Sequence, residues 1–187
     1  MPMMLGRAMA ALCVAVLTCA GAAGGAAQVF ELPERGTLLV NIPDGWATQM
    51  QQPPRQLPPS IFVKPHDETG SGLLLTVVWP IAPATQLPDD DTMRSQVTAS
   101  AEKLAPQSVE GTLKVLELKG SSGRGYYFVA TDRAPKPGEF KYLAQGLVRV
   151  GDIALAFTIL SNDGQDALVT AALETVRTAS FRPLHRP

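Results

Sequence analysis

The sequence predicts an α+β domain. An antiparallel sheet of about six to seven strands carries helices packed on its faces, as an α/β/α sandwich. Three observations predict it. Short apolar runs of strand length come in two groups, one before and one after a helical segment. "VRV" and "IAL" are separated only by Gly151-Asp152, a two-residue hairpin connection with a primed turn. A second helical pattern closes the chain.

The elements follow in order. Residues 1–27 read as a secretory signal peptide. Arg7 is the lone charge of the first thirty residues, and the apolar run Ala8–Ala20 is too short to span a bilayer, which takes about 20 residues. Gly25 and Ala27 suit the small positions of a cleavage site, which places the cut before Gln28, with Ala23 as a second candidate. A lipid anchor at Cys19 is the alternative. It has an imperfect acylation context, with Val16 and Thr18 where Leu and a small residue are usual.

Cleavage after Ala27 removes 27 of the 187 residues and leaves 160, enough for one domain with a core. It also removes Cys13 and Cys19, so the mature chain has no thiol, disulfide or cysteine metal site. With Arg7 gone, 15 basic residues stand against 17 acidic ones, with no basic stripe. That argues against nucleic acid and against strong attraction to an anionic membrane. The mature chain divides into a lead at 28–36, the domain at 37–182 and a tail at 183–187. It offers no transmembrane segment.

Thr37–Ile42 alternates Leu38, Val40 and Ile42 on one face. It runs into Pro43-Asp44-Gly45-Trp46. Pro43 fixes φ and suits the second place of a turn, Gly45 permits a positive φ, and Trp46 folds back to plug one end of the core. "QQPPRQLPPS" is a loop, since four prolines in ten residues exclude helix and central strand. Ser60–Lys64 is a short strand. Gly72–Trp79, "GLLLTVVW", is continuously apolar and reads as a central strand covered on both faces.

Asp89, Asp90 and Asp91 suit the cap and positive end of a helix in which Met93, Val97, Ala101 and Leu104 repeat; Pro106 marks its exit. Thr112–Leu118 reads as a strand, and "GSSGRG" as the loop before the strand Gly125–Thr131. "EFKYLAQGLVRV" and "IALAFTIL" form the hairpin. After "SNDG", Leu168, Ala172 and Val176 form a helical stripe, broadened by Val169 and Leu173, and "SFRP" adds a short extended segment.

Catalytic patterns are scarce. His66 and His185 are the two histidines, far apart in the chain. His66-Asp67-Glu68 are consecutive, whereas metal ligands are usually spaced. The three aspartates lack the alternation of a calcium loop. No serine sits in a nucleophile elbow, and "GSSGRG" lacks the lysine of a phosphate loop. The expectation is no catalytic residue, no metal and no cofactor. Tyr126, Tyr127, Lys141 and Tyr142 are candidates for a binding face, with the adjacent tyrosines pointing to opposite sides of their strand.

The "VNIPDGW" segment, the later apolar strand, the middle helix, "GYYFVAT", the Gly-Asp hairpin and the final amphipathic helix together resemble the PsbP-like superfamily. It includes extrinsic photosystem II subunits, periplasmic DcrB-like proteins and a Ran-binding nuclear import factor. The resemblance rests on pattern over nearly all the mature chain, with Pro43, Gly45 and Trp46 as its motif. It implies an α/β/α sandwich and a non-enzymatic periplasmic or secreted protein, acting as an accessory or binding subunit for an envelope protein or complex. A small-ligand carrier or sensor, with a pocket between sheet and helix, is the alternative.

Overall fold

The computed structural model describes residues 25–54, 57–67, 70–80 and 86–184. The apolar run Ala8–Ala20, both cysteines, Glu68 and His185 lie outside the described residues.

The order is β1 (Ala26–Leu32), β2 (Gly36–Ile42), β3 (Trp46–Gln51), β4 (Ser60–Pro65), β5 (Gly72–Val78), α1 (Asp90–Leu104), β6 (Leu116–Lys119), β7 (Arg124–Thr131), β8 (Tyr142–Val150), β9 (Ile153–Ser161), α2 (Asp166–Thr178) and β10 (Ser180–Pro183). Two antiparallel sheets result. The small one runs β1-β2-β10 and the large one β3-β4-β5-β9-β8-β7-β6.

The predicted α+β class holds, with α1 on one face of the large sheet and α2 on the other. The three-stranded sheet lies on the α2 side and completes that layer.

The β8–β9 hairpin is the centre of the large sheet. Val150 pairs with Ile153, leaving Gly151-Asp152 as the connection. Gly151 has φ 61° and is the only one of the two with a positive φ, the type II′ pattern. β5 pairs with the other side of β9, so the chain between β5 and β6 must cross β9, β8 and β7. α1 makes that crossing and packs on β7 and β8. Asp89 caps it, its carboxylate accepting from the Thr92 N–H at 2.8 Å, with Asp90 and Asp91 in the first turn. Met93, Val97 and Ala101 are its buried stripe.

On the α2 side, Ile61, Val63, Leu73, Leu75, Val77, Val148, Leu155, Phe157 and Ile159 meet Leu168, Ala172 and Val176 of α2 and Leu38 and Val40 of the small sheet. On the α1 side, Tyr126, Phe128, Ala130, Leu147 and Ala154 lie beneath the helix. The Ser121 and Ser122 hydroxyls of the β6–β7 loop donate to the carbonyl of Ala179 and pin that loop to the end of α2.

The structure differs from the sequence reading at five places. The 28–36 lead is largely strand: β1 pairs with β2 from Ala26 to Leu32, and its odd-numbered positions, such as Val29, stay exposed. Trp46 opens β3, an edge strand whose Ala, Thr and Gln content hid it. Its ring is half-buried against the α2-side core, and Trp79 is the buried tryptophan.

The Pro43-Asp44-Gly45-Trp46 turn closes with the Trp46 N–H donating to the Pro43 carbonyl at 3.2 Å, so Pro43 is its first residue and not its second. Gly45 has the expected positive φ, 75°. The strand read at Thr112–Leu118 begins only at Leu116, because Leu113 turns beneath α1 instead of joining the ladder. Finally, β5 is covered on one face only. Leu73, Leu75 and Val77 are buried, but Leu74 is 39% exposed, because α1 crosses elsewhere.

Candidate functional site

The four residues of the expected binding face do not share one surface. Tyr126 points beneath α1 and is buried, with the Arg94 guanidinium 5.9 Å from its ring centre. Tyr127 points to the other face and packs its ring 6.3 Å from that of Phe157. Strand alternation separates them, as expected for neighbours in sequence.

Lys141 and Tyr142 lie together at the start of β8, on Asp163 of the β9–α2 turn. The Lys141 Nζ is 2.8 Å from both carboxylate oxygens, and the Tyr142 hydroxyl donates to Oδ1 at 2.7 Å. Hydrogen bonds from Lys141 and then Tyr142 hold the Asp163 carboxyl below the usual aspartate range, and the bond to Asp163 raises the Lys141 ammonium above its own. These three side chains are solvent-facing and act as a surface clasp between β8 and the β9–α2 turn. Asp163 is separated from Lys141 by a whole hairpin, so no sequence spacing announced it.

Two of the clefts beside α1 border residues of the expected face. One, of about 960 Å³, lies at the helix start. Asp89, Asp90, Asp91 and Glu117 face Arg94, Lys114, Arg124 and Arg149 there, four charges of each sign. Arg124 lies 3.4 Å from Glu117 and 3.8 Å from Asp90, and Arg149 donates to the Pro88 carbonyl at 3.1 Å. The two signs balance in number, and Arg124 bridges Glu117 and Asp90.

The other cleft, of about 650 Å³, lies at the helix end. It is floored by Ala130, Leu143 and Leu160, with Leu104 on one side and the β7–β8 connection, including Phe140, on the other. Lys141 lines it, so one of the four expected residues borders the apolar cleft. Its other cations, Arg133 and Lys136, fall in "TDRAPKPGEF", which reads in sequence as an ordinary Pro/Gly loop.

His66 and Asp67 are exposed in the β4–β5 turn. Among the described residues, no group of three or more His, Cys, Asp or Glu side chains is placed to hold a metal ion. No helix among them is long and apolar enough to cross a membrane.

The architecture is an α/β/α sandwich. The chain is similar to cyanobacterial PsbP (CyanoP) from Synechocystis sp. PCC 6803, whose solution structure superposes with a TM-score of 0.52, covering 92% of this chain and 98% of that one at 11% identity. At that identity the likeness is one of fold. No protein-family description and no curated protein matches the sequence.

Proposed function

We propose that the chain is an exported, non-enzymatic PsbP-like protein, released by cleavage before Gln28, that serves as an accessory subunit of an extracytoplasmic protein or complex. The fold likeness and the signal-like N-terminus support this reading. One observation carries it: among the described residues α1 packs mainly on β7 and β8, leaving Leu74 exposed and Phe62, paired with it across β5 and β4, half-buried. Apolar side chains on an open sheet face suit a protein surface better than a reaction, which needs converging acid, base or nucleophile groups.

The test is to export the full chain with its own leader, tagged after Pro187, and crosslink it in intact cells. The expected result is one reproducibly enriched protein that is lost when Leu74→Lys and Phe62→Ser are introduced together, with the fold retained by circular dichroism. Recovery unaffected by that pair, or no enrichment, overturns the reading. Intact mass of the recovered chain reports the N-terminus: a start at Gln28 supports release, and an acylated Cys19 replaces it with a lipid-anchored form.

A further inference from the structure

Beyond the last turn of α1 the sheet outruns its helix. Ala130, Leu143 and Leu160 stand there in one row, paired directly across β7, β8 and β9 on the α1 face. The helix ends at Leu104, and the short 3₁₀ turn Ala105–Gln107 leads the chain along the end of β7, where Gln107 and Ser108 line the cleft. Phe140, whose ring reaches Gly70 of the β4–β5 turn, forms the opposite wall. Leu104, Phe140, Leu143 and Leu160 are each only half-buried, so folding leaves their apolar surface incompletely covered. The space, about 650 Å³, is of the size that holds a small ligand.

The rim carries Arg133, Lys136 and Lys141 against Asp132 and Glu139, and Asp163 stands on Lys141. Lys141 is held by Asp163, and the Arg133 guanidinium donates to the Ser108 carbonyl at 2.7 Å. Lys136 is the loosest of the three: its Nζ is 4.0 Å from Glu139 and its side chain is 81% exposed. An apolar floor with an exposed cation at its mouth suits an unbranched chain ending in a single negative charge. It does not suit a peptide added as a strand. β7, β8 and β9 are interior strands, so their backbone groups are already used in the ladder and offer no edge to a second main chain.

We propose that this cleft binds a long-chain monocarboxylate, its acyl chain on Leu104, Phe140, Leu143 and Leu160 and its carboxylate at Lys136. The site is separate from the open Leu74–Phe62 surface, so it stands or falls independently of a protein partner.

The experiment is calorimetric titration of the purified exported protein with dodecanoate, and in parallel with dodecanol, both below their aggregation limits. Dodecanoate binds saturably at one site, and dodecanol binds about fivefold more weakly, the worth of one exposed ion pair. Lys136→Glu weakens dodecanoate by about fivefold and leaves dodecanol unchanged. Leu143→Thr weakens both ligands by about tenfold, the worth of about two buried methylene groups. Phe140→Ala, a loop change that leaves the sheet intact, lowers both in the same way. No saturable binding, equal affinity for the two ligands, or insensitivity to Phe140→Ala overturns the proposal. So does binding confined to phosphatidylglycerol vesicles, which would assign the apolar surface to a membrane instead of a free carboxylate.

Discussion

The two faces of the large sheet are made by the same seven strands, yet they are finished differently. The α2 side is closed end to end by a helix and a second sheet, and Val63, Leu73, Leu75, Val148 and Leu155 are all fully buried there. The α1 side has one helix laid over β7 and β8, and among the described residues Leu74 of β5 stays exposed there. The difference follows from connectivity. α1 is a crossover whose path is fixed by where β5 ends and β6 begins, so it cannot also cover β3 and β4. Stability is concentrated on one side and free surface on the other.

The strongest way to break this comparison is to hollow out the closed side. Phe157, 1% exposed, projects from β9 into that core, and Phe157→Ala is expected to lose about 3–5 kcal/mol in urea denaturation. A loss below about 1 kcal/mol would mean that the closed face is loosely packed.

Next in size is Gly146→Ala on β8. Its φ is ordinary, but a Cβ there would meet the Tyr126 carbonyl oxygen, the Tyr127 Cβ at 2.5 Å and the Phe157 Cζ at 2.7 Å. The expected loss is about 1–3 kcal/mol, since β7 must shift as well as a side chain. An unchanged denaturation midpoint would contradict the β7–β8 packing.

Smaller is the acid response of the surface clasp. Asp163 titrates below its unfolded value, so its contribution is complete above the unfolded value and is lost as pH falls through the folded one, below about pH 4. Lys141 titrates above its ordinary value, so the same pair weakens again as pH rises through the folded value, above about pH 10. Asp163→Asn should flatten the acid limb of melting temperature against pH and leave the neutral plateau nearly in place. An unaltered acid limb would show that the pair is not formed in solution.

Smallest is Leu74→Thr on the open side, expected to change stability by less than about 0.5 kcal/mol. A larger loss would show that something covers this face.

These contrasts also explain what could be read from residues alone. Both helices, the Gly151-Asp152 hairpin and the Asp89 cap were legible because each is a local pattern of 3.6-residue spacing or turn chemistry. The small sheet was not. β1 pairs with β2 through a run that reads as a plain lead, and β10 reaches β2 from the other end of the chain. β3 was hidden because an edge strand half in solvent needs no apolar alternation. At the sites the pattern is the same. The opposed directions of Tyr126 and Tyr127 follow from strand period. The cleft at Leu143 and Leu160 depends on the register between strands and on where α1 ends, and no short motif encodes either.

The pairing of β2 with β10 has a consequence for how the protein is made. Leu38 sits beside Phe181, so the first and last parts of the described chain become neighbours in one sheet. Synthesis from the N-terminus delivers Leu38 well before Phe181. Until then β2 has β1 on one side and an empty edge on the other, and the contact that closes the small sheet spans nearly the whole domain. The small sheet can close only once both of these segments are present, and until then the open edge of β2 is free to pair with another strand.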